Sequence, residues 1–365
     1  MKNNECGGSE CRAPGRVAVV GAGIAGLGAA KMLCDHGLEV QVFDKGRRVG
    51  GRLSTRRQEG FQFDHGAQYL TVRDPAFEHH VQSWLEQGQL APWEASWVDL
   101  REPAASPVKD SSPVKDSSPV KEKKRADRWY VGTHGMRGIA EHLASALDVR
   151  LETRVAPLDA ASPGHLRTFE GTDLGNFEWV LLTPPLQQLV ALVDAPVFAP
   201  IRDRAATGSH APCWAVLLGF DAALPVAWDA AYASGSIDWI ARDCSKPGRS
   251  GPETWVLHAS QAWSQAHLEL TASEALETLL EDFRRLVGCV AEPRFKTAHR
   301  WRFARVAEVA SNIPWQRIHD TWIGVAGDGF RGPRVEAAFL SGIDAAQRLL
   351  QKTGHARFDD VSERE

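Results

Sequence analysis

The stretch Arg16-Val17-Ala18-Val19-Val20-Gly21-Ala22-Gly23-Ile24-Ala25-Gly26 decides the fold, because a β-branched run passes directly into the pattern Gly-x-Gly-x-x-Gly. A short run that is apolar on both faces predicts a buried parallel strand. Ala- and Leu-rich residues 27–36 then predict a helix that Gly37 ends. Residues 38–43 predict a second strand, so the sequence predicts a complete βαβ unit.

Each motif position of this unit has a physical reason to bind a dinucleotide. Gly21 permits the tight turn, Gly23 leaves room for a pyrophosphate, and Gly26 lets the helix pack on the strand. The helix N-terminus offers free N–H groups and a positive dipole to the phosphates. Asp44 lies at the end of the second strand, where its carboxylate is expected to accept hydrogen bonds from ribose hydroxyls.

Both NAD and FAD use such a unit, and three further features favour non-covalent FAD. Gly50-Gly51-Arg52 follows the ribose acid and supplies N–H groups and a guanidinium to a diphosphate. The loop Asp64-His65-Gly66-Ala67-Gln68-Tyr69 contains a small residue pair. Gly327-Asp328 follows the predicted strand 321–326 and precedes the predicted helix 334–351, where a carboxylate can hold a ribityl chain.

Composition narrows the class of protein. The 365 residues include 42 lysines and arginines against 46 acids, a net charge of −4, which gives no reason to expect nucleic acid or an anionic membrane as a partner. No apolar run reaches the ~20 residues that span a bilayer. Six scattered cysteines and a polar N-terminus without a signal-like core predict a cytoplasmic protein with reduced thiols.

Residues 106–123 contain a hexamer repeated three times, Ser-Pro-Val-Lys-Asp-Ser and variants of it. Each copy has a proline and a single valine, so the repeats cannot bury a core. We predict an inserted disordered loop over 101–127 and a disordered tail over 1–15.

Motifs for other chemistry are missing from the sequence. There is no Gly-x-Ser-x-Gly, no His-Glu-x-x-His and no paired cysteine motif, so neither a serine nucleophile nor a metal site is predicted.

His258 ends a predicted strand and is either a catalytic group or a hydrogen-bonded core histidine. Arg242, Lys246 and Arg249 surround one loop, which is either a solvated turn or an anchor for substrate phosphates. The thirteen tryptophans are either core or the wall of a pocket for a flat ligand.

The glycine motif, Asp44, Gly50-Gly51-Arg52 and Gly327-Asp328 resemble the flavin amine oxidase superfamily. A narrower set of strings resembles bacterial renalase-like proteins, over nearly the whole chain apart from the tail and the hexamer loop. These strings are Phe63-Asp64-His65-Gly66-Ala67-Gln68-Tyr69, Ile237-Asp238-Trp239-Ile240-Ala241-Arg242, Ser245-Lys246-Pro247-Gly248-Arg249, Thr254-Trp255-Val256-Leu257-His258-Ala259, Ala298-His299-Arg300-Trp301, Arg334-Val335-Glu336-Ala337 and Leu340-Ser341-Gly342.

The resemblance implies an α/β fold with a Rossmann-type FAD-binding domain assembled from discontinuous segments and a smaller mixed-sheet α+β substrate domain. We expect the FAD-binding domain over 16–75, 145–190 and 320–352, and the substrate domain over 76–144 and 191–319. The implied activity is that of an oxidase: FAD accepts a hydride from an isomeric dihydronicotinamide, and dioxygen reoxidises it to give hydrogen peroxide. Alternatives are an amine oxidase or desaturase with another substrate, and a non-enzymatic flavin-binding interaction module.

The expected site has three parts. For catalysis we expect His258, Gln68, Tyr69 and Trp239, and for the substrate Arg242, Arg249 and Trp263. The expected cofactor-binding residues are Gly21, Gly23, Ile24, Ala25, Gly26, Asp44, Lys45, Gly51, Arg52, Gly66, Ala67, Gln68, Val155, Gly327, Asp328, Arg334 and Val335.

Overall fold

The structure is a computed structural model that describes residues 15–101, 128–311 and 315–355. The expected disordered tail, except Gly15, and the hexamer loop, except Arg101, lie outside the described residues. Within those three ranges, no helix combines the length and the apolar character that crossing a membrane requires.

Strands and helices alternate at both ends of the chain, whereas strands dominate its middle. The strands are β1 Val17–Val20, β2 Val40–Phe43, β3 Thr55–Gln58, β4 Phe61–Asp64, β5 Leu90–Pro92, β6 Trp97–Asp99, β7 Tyr130–Gly132, β8 Asp148–Arg150, β9 His165–Arg167, β10 Asp173–Asn176, β11 Trp179–Leu182, β12 Ser209–Phe220, β13 Ala230–Tyr232, β14 Ile237–Arg242, β15 Glu253–Ala259, β16 Phe295–Glu308, β17 Gln316–Ile318 and β18 Thr321–Val325. The α-helices are α1 Ile24–Asp35, α2 Pro75–Glu86, α3 Met136–Ala144, α4 Leu186–Leu192, α5 Ala199–Ala205, α6 Gln261–Ala266, α7 Ala272–Val287 and α8 Val335–Thr353.

The first sheet has the strand order β17-β18-β11-β1-β2-β8 and is parallel except for the edge strand β17. Its central strands are buried on both faces, as their continuous apolar runs require. The chain supplies these strands from segments far apart in sequence, which confirms a Rossmann-type domain built from discontinuous pieces.

Helix α1 packs on strands β1 and β2 of this sheet, and helix α8 packs on α1. Helices α1 and α8 approach so closely that a side chain at Gly342 would meet the backbone of Ala25, and one at Gly28 would meet the ring of Phe339. Helix α3 packs on α1, and α2 packs against α8. Helices α2 and α3 therefore pack with the helices of the parallel sheet, although 76–144 is expected to belong to the substrate domain. Among the described residues of that range, β6 is the strand that joins the second sheet.

The second sheet has the strand order β16-β12-β15-β14-β13-β6 and is antiparallel except between β13 and β6. Helix α7 covers one face with its amphipathic stripe, which includes Leu279 and Phe283. A capping box between Thr271 and Glu274 begins this helix, and Gly288 ends it in the left-handed conformation.

The sequence pattern predicts a helix over residues 135–147 and a strand over residues 149–155, and both elements are shorter in the structure. The helix expected over 135–147 is α3, Met136–Ala144, and the strand expected over 149–155 is β8, Asp148–Arg150. Strand β8 ends early because Glu152 adopts a left-handed φ of 52°, which turns the chain. Val155 then forms only an isolated bridge with Thr168.

Candidate functional site

A cleft of about 1030 Å³ is lined by residues of both sheets and their loops. This volume is at the upper end of the roughly 300–1,000 Å³ typical of small-molecule sites. Gly23 and Gly327 mark the part that belongs to the parallel sheet, and Trp239 and His258 mark the part that belongs to the antiparallel sheet.

The glycine turn after β1 leaves an open cradle at the N-terminus of α1. A Cβ on Gly23 would meet no described atom within 4 Å, whereas one on Gly26 would lie 2.0 Å from the carbonyl oxygen of Gly21. Among the described residues no side chain caps α1, and its first turn contains no acid. The free N–H groups and positive dipole of this helix end can therefore receive an anion.

A carboxylate and a guanidinium lie next to this cradle. Arg52 donates from Nη1 to Asp328 Oδ2 at 2.6 Å and from Nη2 to Oδ1 at 2.7 Å, a bidentate pair. Burial alone would raise the pKa of Asp328, but Arg52 and His210 lower it to about 2. The carboxylate is therefore ionised at neutral pH and can accept hydrogen bonds from hydroxyl groups.

Eleven of the expected cofactor-binding residues line the cleft, so the donor set fits FAD, with amides for the diphosphate and a carboxylate for the ribityl chain. They are Gly23, Ile24, Ala25, Arg52, Gly66, Ala67, Gln68, Gly327, Asp328, Arg334 and Val335.

The other expected cofactor-binding residues do not line the cleft. Gly21 forms the turn with a φ of 115°, and Gly51 lies beside Gly23. Asp44 accepts from the backbone N–H groups of Ala22 and Gly46 at 2.7 and 2.6 Å, which supports the glycine turn. Lys45 donates to Gln188 near the surface, and Val155 packs in the core beneath the sheet.

Five aromatic side chains, which we call the aromatic wall, line the opposite part of the cleft: Tyr69, Trp97, Trp129, Tyr232 and Trp239. Tyr69 stacks on Trp129 with ring centroids 4.4 Å apart, and Trp239 lies 5.0 Å from Tyr232 and 5.4 Å from Trp129. The hydroxyls of Tyr69 and Tyr232 are hydrogen-bonded at 2.9 Å. Such a wall suits a flat ligand.

Four arginines, which we call the rim arginines, also line the cleft: Arg73, Arg101, Arg305 and Arg334. Arg101 lies over the ring of Tyr232 and forms two hydrogen bonds with Asp99, while Arg305 lies 3.6 Å from Asp238. Among the described residues, the cleft lining contains five arginines, Arg52 included, and two acids, Asp238 and Asp328. Two acids outside the lining, Asp99 and Glu336, pair with Arg101 and Arg334, so the arginines still outnumber the acids by one. This excess of positive charge favours an anionic ligand.

Two buried histidines line the cleft beside the wall. Burial lowers the pKa of His258 to about 3, and the nearby Arg305 contributes in the same direction. Burial also lowers the pKa of His65 to about 3, with a further contribution from His299. His258 Nε2 lies 3.3 Å from the carbonyl oxygen of His65, so at neutral pH the site contains two uncharged imidazoles.

The expected catalytic residues all line the cleft, but the side chain of Gln68 is directed beneath the loop. Its amide donates to the carbonyl of Asp64 and accepts from Lys246 Nζ at 3.3 Å. Gln68 therefore holds the loop that contributes Tyr69 to the wall.

The three expected substrate-binding residues do not line the cleft. Arg249 belongs to a buried ion cluster with Lys246, Asp64 and Asp243, in which Arg249 donates to Asp64 at 2.6 Å and Lys246 donates to Asp243 at 2.6 Å. Burial alone would raise the pKa of Asp64, but Lys246 and Arg249 lower it, whereas burial raises that of Asp243. The cluster joins β4, the start of α3 and the turn after β14, so its arginine is not exposed to a ligand.

Arg242 and Trp263 are likewise engaged elsewhere. Arg242 lies over the ring of Trp255, pairs with Glu253 at 3.2 Å and donates to the carbonyl of Val226. Trp263 stacks on His267 with centroids 4.4 Å apart, at the edge of the core beneath α7.

Sequence analysis did not single out Trp97, Trp129, Tyr232 or the rim arginines Arg73, Arg101 and Arg305. These residues come from different strands and loops and share no local motif. For Trp97 and Trp129 the large number of tryptophans was a signal, but it could not separate residues of the wall from residues of the core. No sequence signal pointed to Tyr232 or to the three arginines.

Comparison with known proteins agrees with this geometry. Residues 19–86 match the model of the NAD(P)-binding Rossmann-like domain, and residues 119–350, more than half of the chain, match that of flavin-containing amine oxidoreductases. Protoporphyrinogen oxidase 2 of Arabidopsis thaliana is 50% identical over 60 residues, and 4,4'-diapophytoene desaturase of Staphylococcus haemolyticus is 47% identical over 58 residues. Each match covers 16% of this chain and only 12% of the relative.

Solved structures share the fold across nearly the whole chain. Putrescine oxidase bound to putrescine has a TM-score of 0.67 at 17% identity and covers 93% of this chain and 99% of that one. Reduced UDP-galactopyranose mutase has a TM-score of 0.69 at 11% identity and covers 93% and 96%. At these identities the likeness concerns the fold alone.

The cradle, the ionised Asp328 and the family match lead to one conclusion about the cofactor and class of the protein. The cofactor is FAD, and the protein is an enzyme rather than a flavin-holding interaction module. The chain belongs to the family of flavin-containing amine oxidoreductases and is an FAD-dependent oxidoreductase.

Proposed function

We propose that the enzyme oxidises a flat, anionic hydride donor of the dihydronicotinamide type, in which the ring is reduced at an unusual carbon. The observation that carries this proposal is the combination of the aromatic wall with an excess of arginines in one cleft. The amides at the start of α1 and the carboxylate of Asp328 would hold FAD, which would supply a hydride acceptor. With a proton from solvent, the two electrons would reach dioxygen and give hydrogen peroxide.

The aromatic wall suits the flat end of such a donor. Trp239 and Tyr69 lie among five rings whose neighbouring centroids are 4.4 to 5.9 Å apart. A planar ring can pack against these surfaces, which excludes water and holds the donor carbon in one place. Trp239 is also the cross-strand neighbour of His258, so one strand pair contributes both a ring and an imidazole.

The rim arginines suit the anionic part of the donor. A dinucleotide has a doubly negative diphosphate next to its flat end, and guanidinium groups match phosphate oxygens in geometry and charge. Arg101 and Arg305 are partly exposed at the cleft, where a phosphate could compete with their present acidic neighbours, Asp99 and Asp238. An aliphatic desaturase substrate would offer these cations no anionic group.

The neutral histidines also agree with hydride transfer. Because a hydride carries its own electron pair, its departure from the donor needs no protein base. His65 and His258 each have a pKa of about 3, so both stay uncharged at physiological pH. They therefore add no positive charge to the cleft. We therefore assign His258 the task of contacting the donor ring rather than transferring a proton.

One observation favours a second candidate, an amine oxidase. Asp238 lines the cleft, and aromatic rings attract a substrate cation, so an amine could bind between Asp238 and Tyr232. The arginine excess in the same lining opposes this candidate, because it repels a cation.

Anaerobic stopped-flow reduction of the purified enzyme tests the proposal. The panel contains the isomeric dihydronicotinamide dinucleotides, ordinary NADH and simple amines such as putrescine. We expect rapid flavin bleaching with one isomer at a rate that changes little between pH 5 and 9, and slow bleaching with NADH, because a misplaced carbon exceeds the ~3–3.5 Å contact that transfer tolerates. Fast reduction by an amine alone would replace the proposal by the second candidate.

A matched pair of tryptophan variants separates a local effect from a global one. Trp239→Leu removes a ring from the wall, whereas Trp263→Leu removes a ring that stacks on His267 outside the cleft. We expect only the first to slow donor oxidation while both retain FAD. Equal slowing in the two variants would contradict the role of the aromatic wall.

A further inference from the structure

The second sheet contributes one buried side chain to the cofactor end of the cleft. His210 lies near the start of β12, its side chain is completely buried, and its Nε2 lies 3.2 Å from Asp328 Oδ1. Asp328 follows β18 of the parallel sheet, so this contact joins the two sheets directly at the carboxylate that faces the cleft.

The chemistry of the contact shows which of its two atoms carries the hydrogen. Asp328 is ionised and can only accept, so the hydrogen must be on His210 Nε2. His210 Nδ1 is buried, and within the described ranges it has no hydrogen-bond partner. The contact with Asp328 is therefore the imidazole's one hydrogen bond among the described residues.

Asp328 has a second partner of a different kind. Arg52 also binds both oxygens of Asp328, but its side chain is 29% exposed and lines the cleft. A diphosphate in the cleft can therefore compete with Asp328 for the guanidinium of Arg52. His210, by contrast, is enclosed by the protein and is not among the residues that line the cleft. The backbone N–H of Gly329 donates to the same oxygen, Oδ1, at 3.0 Å.

We propose that His210 is a positioning residue for the cofactor, which fixes the carboxylate of Asp328 in the orientation that receives FAD while Arg52 exchanges partners. The second sheet then contributes to cofactor affinity as well as to the donor wall. The inference concerns FAD binding and is independent of which donor the enzyme oxidises.

If His210 only supported the end of β12, loss of another support of that strand end should weaken FAD binding equally. The chain offers a matched control for this possibility. Gln187 donates its side-chain amide to the backbone carbonyl of the same residue, His210, at 3.1 Å. Gln187→Leu thus removes a support of the strand end without touching the imidazole or Asp328.

The experiment titrates FAD into cofactor-stripped enzyme and follows tryptophan fluorescence, with the melting temperature of the stripped enzyme measured alongside. We expect His210→Phe, which fills the space but cannot donate, to weaken FAD binding about tenfold, as loss of a hydrogen bond to a charged group would. His210→Gln, whose amide can donate from a similar position, should restore most of the affinity. Gln187→Leu should leave FAD affinity within about twofold of the parent.

A double-mutant cycle with Asp328→Asn completes the test and remains usable if His210→Phe folds poorly, because His210→Leu can replace it. If His210 acts through Asp328, the His210 change should have no further effect on FAD affinity in the Asp328→Asn background. Unchanged FAD affinity in the His210 variant, equal losses in the His210 and Gln187 variants, or additive losses in the cycle would each overturn the proposal.

Discussion

The cofactor end of the cleft is formed largely by backbone, whereas the donor end is formed by side chains. At the cofactor end, Gly23 and the N-terminus of α1 leave a cradle of N–H groups that one contiguous segment provides. At the donor end, the aromatic wall combines residues of β6, β13 and β14 with the approaches to β7 and the loop after β4. A change at the first end therefore acts through local geometry, and a change at the second acts through packing between distant segments.

The largest effect that we expect concerns the buried ion cluster beneath the donor end. Lys246→Met leaves two acids facing one arginine in the core, and removal of one partner of a buried ion pair typically costs about 3–5 kcal/mol. Chemical denaturation should show a loss of this size. The double variant Lys246→Met with Asp243→Asn, which restores the charge balance, should recover most of it.

A surface lysine provides the control for that experiment. Lys296 pairs with Glu277 at 3.0 Å on the outside of the molecule, and exposed pairs contribute about 0–1 kcal/mol. Lys296→Met should therefore have little effect on unfolding. If both lysine variants were equally stable, the donor end would not depend on its buried cluster.

A second prediction concerns the backbone cradle. Gly23 has an extended conformation, with φ −78° and ψ 176°, that any residue can adopt, and a new Cβ there enters the open cleft. Gly23→Val should leave the unfolding of the stripped enzyme unchanged and weaken FAD binding about ten- to hundredfold, since overpacking costs about 1–3 kcal/mol. Gly26→Ala is the contrasting variant, because its Cβ would lie 2.0 Å from Gly21 O and should destabilise the protein itself.

Acid should distinguish the two ends of the cleft. The pKa of His65 and of His258 is about 3 in the folded protein, below the ordinary 6.5, so each imidazole takes up a proton on unfolding between these values. Stability should therefore fall as the pH drops from 6.5 towards 3, by about 1.4 kcal/mol per pH unit for each histidine. Asp328, whose pKa is about 2, stays ionised through this window.

The measurement is the melting temperature as a function of pH. His258→Phe should make the acid slope shallower, because one of the two titrating groups is gone. A slope that is the same in the variant and the parent would show that His258 is protonated in the folded enzyme.

The smallest expected effect is at the rim arginines. Arg305→Gln or Arg101→Gln should raise the KM for an anionic dinucleotide donor about two- to fivefold, because side chains that are 41% and 54% exposed contribute at most about 1 kcal/mol. An uncharged N-methyl dihydronicotinamide should show no change, and the difference should shrink with added salt. Arg285→Gln, an exposed arginine on α7, is the control, and an equal rise there would argue against anion binding at the rim.

The cofactor end could be predicted from the sequence because each of its motifs is a short local pattern, even though Asp328 lies far along the chain from the glycine turn. The β-branched run, the three glycines and Asp44 each specify a local conformation, and the structure has the predicted strand, turn, helix and strand in that order. Even there, the apolar pattern of residues 149–155 predicts a strand that is too long, because the left-handed conformation of Glu152 ends β8 early.

The donor end could be predicted only in part. Tyr69, Trp239 and His258 line the cleft, but Arg242 and Arg249 do not. Arg242 pairs with the nearby Glu253, and Arg249 pairs with Asp64, which is far away in sequence. Nothing near residue 249 in the sequence indicates that Asp64 lies 2.6 Å from its guanidinium. The charge excess at the cleft likewise comes from arginines that only the fold brings together.

The buried ion cluster also constrains how this sequence can vary over evolutionary time. Its two acids and two bases come from β4 and from the turn after β14 of the second sheet, and their charges cancel one another inside the protein. A single substitution leaves a charge without its counterpart, so a lineage that loses Lys246 is expected to lose an acid such as Asp243 at nearly the same time. The four positions should therefore covary across relatives, and a pair of residues far apart in the chain would be inherited as one unit.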